Sequence, residues 1–404
     1  MKFRWSIAPT QPLLVTRLAK DLNISPLLTQ CLLNRGHSEL ERISDFLDPR
    51  LKHLADPFLL PNMTTAVDRL LLARERKEAL VIFGDYDVDG VTSAALLYET
   101  LQTLGWTVHY YLPNRMEEGY GLSQDGVENC IQKFPVTLLL AVDCGSTAVE
   151  TIGWLKQRGV ETIVLDHHQV SSPEPDAIAL VNPQLNLARG SLPHTPSFVE
   201  LCSAGLAFKL AHALIKRGRE TNLPGAAEFD LRPLLDFVAL GTIADLVPLT
   251  GENRILVSAG LERLNKTQRP GLVALKNVAS ATSPIGTYEV GFQLAPRLNA
   301  AGRLETAEES LRLLLARNLA EAVPIAQNLD SRNRERQKIE KSIVDEVIGA
   351  IRARFDPEKD FVIVEGQLLW HVGVVGIVAS RVLQEFYRPT IIVGGDGSDW
   401  RGSG

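Results

Sequence analysis

Apolar residues recur with two spacings along this chain, and their order predicts alternating strands and helices. Short runs rich in Val, Ile and Leu are typical of buried strands, whereas apolar residues recurring every three to four positions are typical of helices. Strands are predicted over residues 79–84, 107–112, 136–142, 162–165 and 177–181, and helices over 64–78, 94–104, 123–132, 147–158 and 198–216. Because such alternation produces right-handed crossovers, we expect an α/β fold with a mostly parallel sheet covered on both faces.

The pattern changes at both ends of this region, which suggests four parts. We predict an N-terminal helical arm over 1–60, a sheet domain over 61–301, a connecting helix over 302–354 and a smaller α/β domain over 355–404. Pro324 is the only helix breaker in the connecting segment. The smaller domain has strands predicted at 361–364 and 390–393. No terminating element is predicted after the last strand, so we expect the chain to be a fragment.

The composition of the chain indicates which classes of protein it can belong to. The chain has 404 residues, of which 45% are hydrophobic and 22% charged, which indicates packed globular domains. Its net charge is −6, so a nucleic acid would have to bind a local basic patch. The four cysteines form no Cys-x-x-Cys pair, and no apolar run resembles a leader or a membrane span. We therefore expect a reduced, cytoplasmic protein that does not bind membranes.

Three alternating aspartates, Asp85, Asp87 and Asp89, follow the first predicted strand. Carboxylates this close repel one another unless cations lie between them, and α/β proteins bind ligands at this end of a strand, so a divalent metal site is predicted. The alternative is an acidic turn in which Asp89 caps the next helix. A calcium-binding EF-hand loop is excluded, because its twelfth position would be Leu96 instead of Glu.

Two more predicted strands end in metal-ligand residue types, namely Asp143 and the pair His167 and His168. Strand ends of a parallel sheet share one edge, so these side chains can converge with Asp85 and Asp87. Aspartate oxygens with one or two imidazoles suit Mn²⁺ or Mg²⁺ better than Zn²⁺. Asp143 can bridge two ions about 3.5–4 Å apart, as phosphoryl transfer requires. Taken alone, Asp143 is as compatible with capping the following helix as with binding a metal. Either His, taken alone, is compatible with an ordinary structural role.

The ordered motifs of the chain resemble those of the DHH phosphoesterase superfamily. The four motifs are Asp85-Tyr86-Asp87-Val88-Asp89-Gly90, Asp143-Cys144-Gly145, Asp166-His167-His168 and Gly241-Thr242-Ile243-Ala244-Asp245. Further segments are similar to the bacterial branch that degrades single-stranded DNA: Pro113-Asn114-Arg115, Glu118-Gly119-Tyr120-Gly121, residues 297–303 and residues 370–381. The resemblance covers essentially the whole chain. It implies a mostly parallel DHH sheet domain and a smaller DHH-associated α/β domain joined by a long helix.

The resemblance also implies an activity and a set of site residues. The activity is 5′-to-3′ exonuclease cleavage of single-stranded DNA with two Mn²⁺ or Mg²⁺ ions, in DNA repair and recombination, with a single-strand-binding protein and a helicase as further partners. By motif position the metal ligands are Asp85, Asp87, Asp143, His167 and Asp245. His168 is expected to face the substrate phosphate, and Asp89 to orient a ligand or water.

Six further residues are predicted to bind substrate: Arg297, Asn299, Arg303, His371, Arg381 and Ser403. Arginine can hold phosphate through two hydrogen bonds, and the glycine-rich start of a helix near His371 suits an anion. The alternative for Arg297 or Arg303 is a structural ion pair with the acidic surface. Gly402-Ser403-Gly404 begins a family motif whose expected following Arg lies beyond this sequence.

Two rival functions remain open at this level. The first is a DHH enzyme for small substrates, such as a short-oligonucleotide or cyclic-dinucleotide phosphodiesterase or a pyrophosphatase. The second is a non-enzymatic relative that acts as a replication scaffold, although such proteins tend to lose the metal aspartates and all of them are present here.

Overall fold

A computed structural model describes residues 5–115, 117–185, 198–304, 306–395 and 400–404. The strands are β1 (Leu80–Gly84), β2 (Val108–Tyr111), β3 (Leu138–Val142), β4 (Glu161–Leu165), β5 (Ala179–Val181), β6 (Ile363–Gly366), β7 (Thr390–Gly395) and β8 (Trp400–Ser403). The first eight helices are α1 (Pro12–Leu22), α2 (Pro26–Asn34), α3 (Leu40–Leu47), α4 (Met63–Glu75), α5 (Val88–Thr103), α6 (Gln124–Lys133), α7 (Val149–Gln157) and α8 (Ser203–Glu220). The remaining helices are α9 (Leu235–Ala244), α10 (Gly251–Lys266), α11 (Pro270–Ala279), α12 (Ala295–Leu304), α13 (Glu308–Leu314), α14 (Leu319–Arg352) and α15 (Val375–Phe386).

The first five strands form one parallel sheet in the order β2-β1-β3-β4-β5, which confirms the predicted parallel α/β core. Side chains alternate between two cores along each strand, as the period of two requires. Leu80 and Ile82 of β1 pack into the larger core with α5, α8 and α9. Val81 and Phe83 pack into the smaller core with α6 and α7. Helices therefore cover both faces, and the carboxyl ends of β1, β3 and β4 lie side by side.

The prediction of one continuous connecting helix over 302–354 is wrong. Residues 302–304 complete α12, α13 is a separate short helix, and α14 begins only after Asn318, whose side chain accepts a hydrogen bond from Glu321 N (2.9 Å). Helix α14 is 34 residues long and continues through Pro324. A proline in the second turn removes one hydrogen bond without ending a helix that is packed along its length.

The second half of α14 belongs to the core of the smaller domain. Ile343, Val347 and Ile351 pack with α15 and with β6 and β7. The two predicted strands are present as β6 and β7 and are parallel, but β8 is an antiparallel third strand that the sequence pattern did not indicate. Its four residues are all exposed, so no alternation of apolar and polar residues marks it as a strand.

The N-terminal arm is helical, as predicted, and has its own small core of Val15, Leu18, Leu32, Leu33 and Ile43. The arm's connection to the sheet domain is held by a buried lysine. Lys209 Nζ donates to Ala55 O (2.9 Å) and to Glu252 Oε1 (2.7 Å). Among the helices described above, none has both the length and the apolar character needed to cross a bilayer.

Candidate metal centre

The first acidic motif lies where β1 passes into α5. Asp85 N donates to Val142 O (3.2 Å), which extends the pairing of β1 with β3 by one residue. Asp87 caps α5, since its Oδ1 accepts from Asp89 N (2.9 Å) and Gly90 N (3.1 Å). A Cβ at Gly90 would lie 2.5 Å from Asp85 O, so this turn requires glycine. The backbone thus directs Asp85 and Asp87 to the same side of the strand end.

Asp143 lies at the end of β3 in a left-handed backbone conformation, with φ of 63°. Aspartate tolerates this conformation better than most residues, and such strain is concentrated at functional sites. The side chain is buried, and its Oδ1 accepts a hydrogen bond from Ser203 Oγ (2.9 Å). Ser203 is the first residue of α8, so the start of that helix fixes the orientation of the Asp143 carboxylate.

The third strand end is organised by Asp166. Its Oδ1 accepts from His168 N (3.2 Å) and pairs with His168 Nδ1 (2.7 Å), while Oδ2 accepts from Ser146 N (3.0 Å). The hydrogen bond with Asp166 raises the pKa of His168 to about 9. Burial opposes ionisation of Asp166, but the hydrogen bond and charge of His168 still lower its pKa to about 2. The side chain of His168 is 58% exposed, although its Nδ1 is engaged by Asp166.

His167 brings the separate motifs together. Its Nε2 lies 3.6 Å from Asp143 Oδ1, 3.6 Å from Asp245 Oδ2 and 3.9 Å from Asp89 Oδ2. Asp245 reaches this point from the C-terminal end of α9, not from a strand. Asp85, Asp87 and Asp143 also place carboxylate oxygens within 4.8 Å of one another. All five predicted metal ligands thus converge at one edge of the sheet.

Several of these carboxylates repel one another in the absence of a cation. Burial and the charge of Asp87 raise the pKa of Asp85 to about 7 and that of Asp245 to about 6. Burial and the charge of Asp89 raise the pKa of Asp143 well above its usual range. Clusters of carboxyl groups with raised pKa values are typical of functional sites. All of the groups can ionise together only when a positive charge lies between them.

The donor atoms themselves fit a divalent ion. Asp85 Oδ1, His167 Nε2 and Asp245 Oδ2 are buried, and none of them has a hydrogen-bond partner within the described ranges. Leaving such atoms unpaired is costly, so they indicate a partner that the protein itself does not supply. Ligand–metal distances of about 2.0–2.1 Å place neighbouring ligands about 3–4 Å apart, as observed between His167 and Asp143. Oxygen donors with one imidazole suit Mn²⁺ or Mg²⁺.

Asp89 lies beneath this cluster and is fully buried. Its Oδ2 accepts from Ser203 N (2.7 Å) and its Oδ1 from Ala204 N (2.8 Å), so it pairs with the free backbone amides at the start of α8. Burial and the charge of Asp245 raise its pKa to about 7. These contacts agree with the predicted orienting role, because Asp89 holds α8 and Ser203 against the cluster and does not itself face solvent.

The predicted substrate-binding residues divide into two groups. Arg297 donates to Asp330 Oδ1 (2.9 Å) and Gln293 O (2.6 Å), and this ion pair occupies the guanidinium that was predicted to hold phosphate. These contacts favour the structural alternative for Arg297, and its binding of phosphate stays a prediction. Asn299 Oδ1 accepts from Val88 N (3.1 Å) and so connects α12 to the start of α5.

The other predicted residues lie where the two domains meet. Arg303 donates to Gly373 O (3.2 Å), and His371 Nδ1 accepts from Gly373 N (3.1 Å), so both face the start of α15. Arg381 is paired with Glu340, on α14. A Cβ at Gly376 would lie 3.2 Å from Ser403 Oγ, which places Ser403 beside the first turn of α15. Arg303, His371 and Ser403 therefore surround one helix N-terminus.

Three residues of the site were not predicted individually. Asp166 and Arg115 belong to motifs of the sequence analysis, but no role was predicted for either residue. No sequence signal indicated a role for Ser203, because a serine near the start of a helix is common. The Arg115 guanidinium lies 4.9 Å from the Tyr86 ring centre and 4.5 Å from that of Tyr120. Its charge also acts on Asp85, Arg303 and His371, so it lies between the acidic cluster and the domain interface.

Comparison of the sequence with known proteins identifies a matching family and similar proteins. The model of the DHH family, N-terminal domain, matches residues 79–242. The single-stranded-DNA-specific exonuclease RecJ of Bacillus subtilis is 39% identical over 396 residues, which is 98% of this chain and 48% of that protein. The chain thus spans about half the length of this relative.

Solved structures show the same relationship. A crystal structure of exonuclease RecJ bound to manganese matches with a TM-score of 0.71 and 36% identity, covering 83% of this chain and 80% of the other. RecJ of Thermus thermophilus in complex with Mn²⁺ matches with a TM-score of 0.79 and 32% identity, covering 96% of this chain and 53% of the other. From its metal-ligand cluster, its fold and these matches, the chain belongs to the RecJ family of DHH proteins.

Proposed function

We propose that this chain hydrolyses phosphodiester bonds of single-stranded DNA from the 5′ end, with two Mn²⁺ or Mg²⁺ ions as cofactors. The observation that carries the proposal is the convergence of Asp85, Asp87, Asp143, His167 and Asp245, three of which have unpaired buried donor atoms. Similarity to single-stranded-DNA-specific exonucleases and to manganese-bound RecJ structures supports single-stranded DNA as the substrate and a divalent ion as the cofactor.

The five residues would hold the ions, and Asp143 is shared by the group of possible ligands with Asp85 and Asp87 and by the group with His167. When bound, such ions activate a water as nucleophile and stabilise charge on the phosphate. We assign His168 to the substrate phosphate and not to the metal, because its Nδ1 is engaged by Asp166 (2.7 Å) and its side chain is 58% exposed. A cationic imidazole in this position donates a hydrogen bond to a phosphate oxygen and can transfer its proton to the leaving group.

Positive groups at the domain interface would position the strand. Arg303, Arg115 and His371 lie together beside the acidic cluster, and Arg303 has no carboxylate partner among the described residues. Because phosphate contacts do not distinguish bases, cleavage should depend little on sequence. Four free cysteines are consistent with a reducing cytoplasm, and a single-strand-binding protein and a helicase are proposed partners by family resemblance.

A nuclease assay with blocked ends tests this function. Long single strands labelled at one end and blocked at either the 5′ or the 3′ end are incubated with Mn²⁺, with Mg²⁺ or with EDTA. Release of mononucleotides only from strands with a free 5′ end, and only with metal, is the expected result. Hydrolysis of dinucleotides but not of long strands would favour the small-substrate rival, and metal-independent DNA binding without hydrolysis would favour the scaffold rival.

A further inference from the structure

Strand β5 ends beside the two histidines of the candidate metal centre, although it supplies none of the predicted ligands. It is parallel to β4, and Asp166 N donates to Val181 O (3.2 Å), which continues the pairing of the two strands by one residue. Parallel neighbours end at the same edge of a sheet. The residues that follow Val181 therefore lie beside the turn that contains His167 and His168.

Asn182 is the first of these residues, and it is completely buried. Its Nδ2 donates to His168 O (2.9 Å) and to Ser146 Oγ (2.8 Å), while its Oδ1 accepts from Gln184 N (2.8 Å). The orientation of the amide follows from these partners, because His168 O can only accept and Gln184 N can only donate. Both side-chain N–H groups of Asn182 are thus used, as burial of an amide requires.

The contact with Ser146 connects Asn182 to a second strand end. Ser146 is buried and follows Asp143, at the end of β3, by three residues. Its backbone N–H donates to Asp166 Oδ2 (3.0 Å), and Asp166 is the partner of His168 Nδ1. One buried side chain on β5 therefore bonds to the loop after β3 and to the loop after β4.

Gln184 makes a similar contact one residue earlier in the histidine pair. Its Nε2 donates to His167 O (3.3 Å), and the residue is partly buried. Side-chain amides of Asn182 and Gln184 thus hold the backbone carbonyls of both histidines. A peptide group held in this way cannot rotate freely, so the directions of the two imidazoles are restricted as well.

We propose that Asn182 is a positioning residue for the His167–His168 pair, with Gln184 as a second, weaker support. This inference rests on the proposed nuclease function and adds residues that act on it through the backbone of the histidines. Loss of a group that orients a metal ligand typically costs about 10–100-fold in metal affinity or activity. A displacement of about 1 Å at a reacting group can cost about a hundredfold in rate.

The alternative is that Asn182 only stabilises the end of an edge strand. The bond from Gln184 N to Asn182 Oδ1 would be sufficient for that purpose, because it lies within the turn itself. The two donations by Nδ2 instead end 14 and 36 positions away, at His168 O and Ser146 Oγ. Their destination in the two loops of the metal centre favours the positioning role.

The test compares two asparagines with the same pattern of hydrogen bonds. Asn265 Nδ2 donates to Leu261 O (2.8 Å) and Ile285 O (2.9 Å), and its Oδ1 accepts from Ile285 N (2.8 Å). None of these partners belongs to the metal centre, so Asn265→Ala is the matched control for Asn182→Ala. Thermal unfolding, calorimetric titration with Mn²⁺, and kcat and KM on single-stranded DNA are measured, the last three well below the melting temperatures of both variants.

Asn182→Ala should weaken Mn²⁺ binding about tenfold and lower kcat at saturating Mn²⁺ about tenfold, because both imidazoles are displaced. KM for the strand should change by less than about twofold, since an interaction made only in the transition state is lost. Asn265→Ala should lower the melting temperature alone. Gln184→Ala removes a partly buried side chain and should weaken Mn²⁺ binding several-fold with the fold retained, so it tests the same role if Asn182→Ala does not fold.

Wild-type Mn²⁺ affinity and kcat in a folded Asn182→Ala would refute the positioning role. Losses of the same size in Asn265→Ala, or a loss confined to KM, would refute it too. If Asn182→Ala does not fold, unchanged Mn²⁺ binding in Gln184→Ala has the same meaning. Should the wild-type chain bind Mn²⁺ without cleaving DNA, the proposed function fails, and the titrations without DNA still decide the positioning role. A wild type that binds no Mn²⁺ would refute both.

Discussion

His167 Nε2 lies 3.6 Å from Asp245 Oδ2, and neither atom has a hydrogen-bond partner in the described part of the chain. One residue follows a strand and the other ends a helix. Their approach leaves two buried polar atoms unpaired, which costs free energy unless an ion lies between them. This pair supports most directly the proposal that this edge of the sheet holds a cation.

The first prediction concerns metal and stability. Mn²⁺ should raise the melting temperature of the metal-free protein, because an ion that binds only the folded state stabilises it by about 2.7 kcal/mol at a hundred times its Kd. Asp143→Ala should remove most of this effect. Thermal unfolding with EDTA and with increasing Mn²⁺ measures it, and Asp176→Ala, which alters an exposed carboxylate, should respond like the wild type. Equal Mn²⁺ stabilisation of Asp143→Ala would contradict the assignment.

The second prediction follows from the repulsion among carboxylates. The pKa of Asp85 is raised to about 7, whereas an unfolded chain has an aspartate pKa of about 3.9. Between these values the folded metal-free protein keeps a proton that the unfolded chain has released. Its stability therefore falls as the pH rises from about 4 to about 7. Asp85→Asn removes this penalty and should stabilise the metal-free protein at pH 8, by on the order of 1 kcal/mol.

Urea unfolding in EDTA at pH 5 and pH 8 measures this difference. The gain in unfolding free energy from Asp85→Asn should be larger at pH 8 than at pH 5. With Mn²⁺ present, the variant should instead be less stable than the wild type, because it lacks a metal ligand. Asp176→Asn serves as the control for removing a surface charge. A gain that is independent of pH would show that Asp85 is not held in a crowded site.

The third prediction separates a metal ligand from the residue that positions it. Asp143→Ala should abolish hydrolysis with the fold retained, whereas Ser203→Ala should weaken Mn²⁺ binding about tenfold and leave measurable hydrolysis. The reason is that Ser203 Oγ only orients Asp143 Oδ1, at 2.9 Å. Calorimetric titration with Mn²⁺ and kcat measured at saturating Mn²⁺ distinguish the two. Ser310→Ala, which removes another buried hydroxyl bonded to Leu298 O (2.8 Å), controls for loss of packing.

The fourth prediction contrasts two arginines of the same helix. Arg303→Ala should weaken binding of single-stranded DNA and reduce its salt dependence by about one charge. Arg297→Ala should instead destabilise the fold by about 1–3 kcal/mol, because it removes the more buried of the two arginine partners of Asp330 and leaves only the exposed Arg334. Fluorescence anisotropy at several salt concentrations and urea unfolding provide the two readouts. The opposite outcome, with the salt effect in Arg297→Ala alone, would support the prediction that Arg297 binds phosphate.

Much of the fold was readable from the chain because its signals are local. Runs such as Leu138–Val142 are apolar without interruption, which is typical of strands buried on both faces, and the observed β3 has these bounds. The failures also have local causes. Strand β8 is too short and too exposed to show alternation, and the break before α14 depends on a single cap at Asn318 that charge patterning does not show.

The amino-acid sequence by itself determined the parallel sheet and the placement of Asp85, Asp143 and His167 at its strand ends, because strand periodicity and chain direction decide which residues lie at one edge. Only the tertiary structure decided which long side chains contact a partner within the protein and which remain exposed. It paired Arg297 with Asp330, and it left Phe292 71% exposed. The physical reason is that a side chain's partner is set by the element packed opposite it, and that neighbour is usually remote in the sequence.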